Sequence, residues 1–289
     1  MVSAATDEWA RTRDALRVEV DRVTALLRGA RHPTAPALGR WDLTEVAVHL
    51  CQAWGVVSGL ARDDLSELFD LPAQDDGEPG ALTDIWELQD LTTLGVEAEP
   101  ERDLRTVADR IDERAAAFFA TLAQASPGDI RPWLVAGTKV RLSTLTCHLL
   151  NETMVHGYDI ARADGRRWPV DRAHAALVIE EFLFPVVRAL DPRALVDQRR
   201  AAGVRITYEL SVRGGGRHIF AFDDGVLTLE PAESSRRRID CHISADPAAL
   251  LLVAWNRQSQ WVAITRGQMV AWGRKPWLGP RLRLLMRNP

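Results

Sequence analysis

The chain has 289 residues, room for a main domain and a smaller one, and its 46% hydrophobic and 26% charged residues suit a globular protein with a real core. A net charge of −4 offers no basic field for nucleic acid or an anionic membrane surface. No apolar run approaches the roughly 18–20 residues that span a bilayer, and Asp7 and Glu8 with several arginines break up the first residues, against a secretory signal. Cys51, Cys147 and Cys241 are odd in number and far apart; they form no disulfide framework and read as small buried residues of a cytoplasmic protein.

In chain order, Trp9, Leu16, Val20, Val23 and Leu27 recur at steps of three, four or seven, which predicts an amphipathic helix over 3–29. Asp42 and Glu45 form a D-x-x-E capping box that opens a second helix, with Val46, Leu50, Ala53, Trp54, Val57 and Leu60 as its stripe. The acidic Gly/Pro stretch Asp70–Gly80 predicts a loop. A third helix is expected to enter near Pro100, lined by Leu104, Val107, Ile111, Phe118 and Leu122 and stopped by Ser126-Pro127-Gly128. A fourth runs from a Ser143 cap to Gly165, and a fifth starts at Asp171, with Pro185 kinking or ending it.

After about Gln198 the period changes. Val204, Ile206, Tyr208, Leu210 and Val212 alternate with Arg205, Thr207, Glu209 and Ser211, as in a half-buried strand. Gly214-Gly215-Gly216 and Asp223-Asp224-Gly225 offer hairpin turns, and 239–244 reads as a further strand. Asp246-Pro247 opens a helix through Trp255, and a last helical stretch follows Pro276. The expected fold is α+β and mostly α, with a helical domain over 1–198 and a small α+β domain over 199–289. Trp255, Trp261, Trp272 and Trp277 read first as core packing in the second domain.

The segment Asn151 to Asp159 carries the chemistry. Glu152 and His156, four apart on a helix, share one face and can give two ligands to one metal; Asp159 can accept a hydrogen bond from a ligand imidazole. A third ligand must come from elsewhere. His49 sits about 40° from Ala53 and about 60° from Val46 around an ideal helix, so it runs along the buried edge of helix two. His148, four before Glu152, is a rival for the third position, a group behind the ligands, or surface. A His₂Glu set suits zinc and leaves coordination positions open, and a metal so held turns a bound thiol into a thiolate. Cys51 and Cys147 are rotated away from that face and are poorly aimed to supply such a thiol.

At these residues the chain resembles the mycothiol-dependent maleylpyruvate isomerase family, a branch of the DinB-like helical bundles. The likeness runs through Trp41-Asp42-Leu43-Thr44 into Val48-His49-Leu50, and from Glu152 through Val155-His156-Gly157-Tyr158-Asp159-Ile160-Ala161. The stretch 246–273 is similar to the family's C-terminal domain, itself like sterol-carrier folds. The resemblance implies a four-helix bundle with metal on His49, Glu152 and His156, and mycothiol as the thiol. It also marks Arg257 and Arg274 as candidate catalytic residues that clamp an anionic group, with Trp255 beside Arg257 at the cofactor. The family contains both isomerases and S-transferases, and the activity expected here is a mycothiol-dependent S-transferase acting on a small electrophile. The alternatives are cis–trans isomerisation by reversible thiol addition, or a non-enzymatic ligand-binding module. No nucleic-acid or membrane partner is expected, and the chain is expected as a monomer or homodimer.

Overall fold

The computed structural model describes residues 2–64, 87–135 and 137–287, with side chains from residue 7 onward. Two compact units result, Met1–Val170 and Asp171–Pro289. The loop expected over 70–80 lies outside the described residues.

In the first unit, helices α1 (Val2–Arg28), α2 (Leu43–Arg62), α3 (Glu87–Ala98), α4 (Leu104–Ala123) and α5 (Leu142–Ala163) alternate with two short hairpins. These are β1 (Pro36–Leu38) with β2 (Trp41–Asp42), and β3 (Ile130–Pro132) with β4 (Lys139–Arg141). Helices α1 and α2 each pack on both α4 and α5, which makes a four-helix bundle. The expected stripes are its core: Leu16, Val23, Leu27, Leu50, Trp54, Ile111, Phe118 and Leu122 are almost wholly buried. Helix α2 starts where its capping box is complete, Asp42 Oδ1 accepting the Glu45 N–H at 2.9 Å and Glu45 Oε2 accepting the Asp42 N–H at 2.9 Å.

Two boundaries differ from expectation. Helix α4 begins not near Pro100 but after Asp103, whose side chain caps the Thr106 N–H. Helix α5 begins at Leu142, directly from β4, so Ser143 lies inside its first turn. Helix α3 was not foreseen, because only Gly95 and Val96 of it are buried and it presents no apolar stripe.

In the second unit a helix runs from α6 (Arg172–Val178), capped by Asp171, through a π-helical turn (Ile179–Leu183) into α7 (Phe184–Ala189). Pro185 does not end it. The wider turn just before it, in which the Phe184 N–H reaches the Ile179 carbonyl, makes room for a ring that would crowd an ordinary α-turn. After α8 (Gln198–Ala201) comes a five-stranded sheet of β5 (Arg205–Val212), β6 (Arg217–Asp223), β7 (Val226–Pro231), β8 (Cys241–Ala245) and β9 (Met269–Trp272), in the order β7-β6-β5-β8-β9. Pairing is antiparallel except β5 with β8. Helices α9 (Pro247–Ala254) and α10 (Gln260–Thr265) fill the crossover to β9, and α11 (Gly279–Leu285) follows it. Asp224 and Gly225, both at positive φ, turn β6 into β7, the backbone a tight hairpin needs.

The change of period falls near Gln198, but the compact units part before Asp171. Ile179 and Phe184 pack into the same core as Ile206, Tyr208 and Phe222, so the helix that looks like a continuation of the bundle is the cover of the sheet. The tryptophans correct another expectation. Trp261, Trp272 and Trp277 are 57, 45 and 70% exposed, because β9 is an edge strand with α10 and a short 3₁₀ turn beside it rather than core. The three cysteines are buried and form no disulfide.

Candidate metal centre

Helix α5 is buried on nearly every side, and its polar residues His148, Asn151, His156 and Asp159 go inside with it. Polar groups there need partners, and the side chains supply them to one another. His156 Nε2 lies 3.3 Å from Glu152 Oε2, and His49 Nε2, from α2, lies 3.4 Å from the same oxygen. The three donor atoms are all within 4.8 Å of one another, the one such group of three found among the described residues. With metal bonds of about 2.0–2.1 Å, the edge of a tetrahedron is about 3.3–3.4 Å. The two nitrogen–oxygen distances have that length, and the donor set is the one zinc takes, so the residues fit a divalent ion.

Local structure holds each donor. Trp41, in β2 just ahead of α2, lies with its ring centroid 5.3 Å from that of His49, and the His49 and His156 rings meet edge to face at 4.7 Å. Asp159, fully buried, faces His156 Nδ1 at 3.2 Å; if it accepts that N–H, the Nε2 lone pair is turned toward Glu152 and His49. The pair of helices is tied just past the donors, where Trp54 Nε1 donates to Thr153 Oγ1 at 3.3 Å and Thr153 donates on to the Leu149 carbonyl. Side-chain exposures of 16, 13 and 10% for His49, Glu152 and His156 leave the cluster enclosed yet within reach of a small ligand.

Two carboxylates in this position demand positive charge. Burial works against ionised Glu152, but hydrogen bonds from His148, His156 and His49 outweigh it and hold its carboxyl well below the usual range. Burial likewise opposes a charged His156, yet Asp159 and Glu152 raise it to about 9. Either an imidazolium or a bound cation meets the demand.

The other expected site residues belong to the second unit. Arg257, in the turn after α9, donates to the Trp255 carbonyl at 2.6 Å, and Arg274, after β9, pairs with Asp240. Sequence reasoning passed over Asn151, whose amide reaches Glu152 at 3.2 Å, and the ring of Trp41 against His49. The tryptophan was legible only as part of a motif, and the asparagine carried no signal of its own.

A family description, mycothiol maleylpyruvate isomerase N-terminal domain, matches residues 4–161. Among solved structures, the crystal structure of the mycothiol-dependent maleylpyruvate isomerase is similar at 12% identity and a TM-score of 0.51, covering 91% of this chain and 92% of that one. A histidine-to-alanine mutant of the mycothiol-dependent maleylpyruvate isomerase is similar at 11% identity and a TM-score of 0.50, with the same coverage. At such identity the likeness establishes the fold. No curated protein sequence matches the chain.

Proposed function

The chain belongs to the mycothiol maleylpyruvate isomerase family, and on that premise we propose a metal- and mycothiol-dependent S-transferase that activates the thiol for attack on a small electrophile. The observation that carries the reading is a single buried carboxylate oxygen with two imidazole nitrogens at 3.3 and 3.4 Å, one from each of two packed helices. His49, Glu152 and His156 would hold a divalent ion, zinc by its donors, which when bound supplies a Lewis acid that favours thiolate over thiol.

The protein's own groups do the rest. Asp159 orients the His156 ring, Trp41 packs on His49, and Glu152 brings the negative charge that binds the cation. Cys51 and Cys147 are buried and lie outside the donor group, which leaves the sulfur to a small cofactor. Within the second unit, the resemblance marks Arg257 and Arg274, with Trp255, as groups suited to an anionic ligand. Arg274 would have to exchange its Asp240 partner to take part. The second reading, reversible thiol addition that isomerises a double bond, is favoured by the activity in the family's own description.

Elemental analysis of purified protein should find about one divalent ion per chain, lost in His49→Ala and His156→Ala with far-ultraviolet dichroism retained. In cobalt-substituted protein, mycothiol should produce a sulfur-to-metal charge-transfer band in the near ultraviolet, equally in Cys51→Ser and Cys147→Ser. Electrophiles offered with mycothiol then divide the two reactions: a thioether accumulates under transfer, and free thiol returns with a rearranged double bond under isomerisation. Protein without metal, and without any spectral response to thiol, would leave the ligand-binding module in place of both.

A further inference from the structure

Glu152 has two oxygens, and the metal reading uses one of them. On α5, His148, Glu152 and His156 stand on successive turns, each step of four residues rotating by about 40°, so the two histidines flank the carboxylate from opposite sides. His156 and His49 meet Oε2. Oε1 instead faces His148 Nε2 at 3.5 Å and Asn151 Nδ2 at 3.2 Å. His148 is outside the group of donor atoms that lie within 4.8 Å of one another. It is also buried, against the ring of Trp133 at 6.2 Å, so its approach to Oε1 is held by packing.

We propose that His148, assisted by Asn151, is a positioning residue that engages Oε1 of Glu152 and so restricts this carboxylate to binding a metal through Oε2 alone. The inference rests on the metal centre proposed above. Its consequence is for the number of open positions. A carboxylate bound through both oxygens fills two places around a small cation; bound through one, it leaves the fourth tetrahedral place for the thiolate, with a fifth for substrate or water on expansion of the shell. A donor at Oε1 also keeps the carboxylate from rotating when the ion is absent, which preserves the arrangement with His49.

The test compares the wild type with His148→Gln, whose amide keeps a donor where Nε2 stands, and His148→Leu, which keeps bulk without a donor. Zinc affinity is read by competition with a chromophoric chelator, and coordination number by the intensity of the visible bands of cobalt-substituted protein. The leucine variant should bind zinc roughly 10–100-fold more weakly, the usual loss when a group behind a ligand is removed. Its cobalt bands should fade as Oε1 joins the ion. The glutamine variant should keep both properties close to wild type. His148→Asn, too short to reach Oε1, should behave as leucine and replaces it if that variant does not fold. Wild-type affinity and spectrum in the leucine variant would overturn the inference, and so would a glutamine variant as weak as leucine. Loss of metal as complete as in His49→Ala would make His148 a ligand instead. A wild type that binds no metal is a different result, and it removes the metal centre itself.

Discussion

Gly157, next to the metal candidate His156, permits a test of packing that needs no metal. In a helix interior alanine is favoured over glycine by about 1 kcal/mol, so Gly157→Ala should stabilise α5 if nothing else changed. A Cβ at this position, however, falls 2.6 and 2.9 Å from Cζ2 and Cε2 of Trp168. The indole has to move. Its face carries the Arg22 guanidinium at 4.1 Å, and Arg22 also binds Glu19 and the Pro169 carbonyl. Overpacking costs about 1–3 kcal/mol and the cation–π contact adds about 0.5–1. Against the helix gain, Gly157→Ala should destabilise by roughly 0.5–3 kcal/mol. Urea unfolding followed by far-ultraviolet dichroism measures it. In a Trp168→Ala background the same change should become stabilising by about 1 kcal/mol, because the obstacle is gone. An equal effect in both backgrounds, or a gain in the wild type, would refute the argument.

Two further outcomes follow from particular contacts. Asp159→Asn keeps the shape behind His156 but removes the charge, and should weaken zinc binding by roughly 10–100-fold in chelator competition; unchanged affinity would mean that the His156–Asp159 contact does not support the ligand. In the second unit, burial pushes the Glu180 carboxyl up, but hydrogen bonds from His218 and the Gly216 N–H outweigh it and hold it below the usual range. A depressed folded value means its stabilisation is complete above the unfolded carboxylate pKa of about 4.3 and is lost as pH falls through the folded one. The urea midpoint of the wild type should therefore drop more steeply below that pH than the midpoint of Glu180→Gln. Parallel curves would exclude the contribution.

What could be read in advance follows from which physical signals are one-dimensional. The stripes of α1, α2 and α4 repeat along the chain and became the bundle core, and the Asp42–Glu45 cap needs only four consecutive residues. Strand β5 was legible for the same reason: one face of it is buried and the other is not. Strand β9 was not, since Met-Val-Ala-Trp is apolar on both faces and shows no alternation. The helix from Arg172 to Ala189 was found but belongs with the sheet, because periodicity reports that a face is buried and not what buries it. At the candidate site, Glu152 and His156 follow from spacing on one helix. The choice of His49 over His148 does not, since both are compatible with helical spacing and only the position of α2 separates them.

That separation depends on the register of two helices, and the register is built from the core rather than from the site. Trp54 lies five residues after His49 on α2, and Thr153 directly follows Glu152 on α5. Trp54 is wholly buried, packs edge to face on Phe118 at 5.9 Å, and gives its indole N–H to Thr153. A slide of α2 by one residue would move His49 about 1.5 Å along the axis and about 100° around it, which breaks this hydrogen bond and takes Nε2 away from Glu152 together. The large, wholly buried apolar volume of Trp54 makes such a slide costly whether or not an ion is bound, because a close-packed interior has no space to receive the displaced indole. The geometry at Oε2 is therefore present before any ligand arrives, and binding free energy need not be used to assemble it.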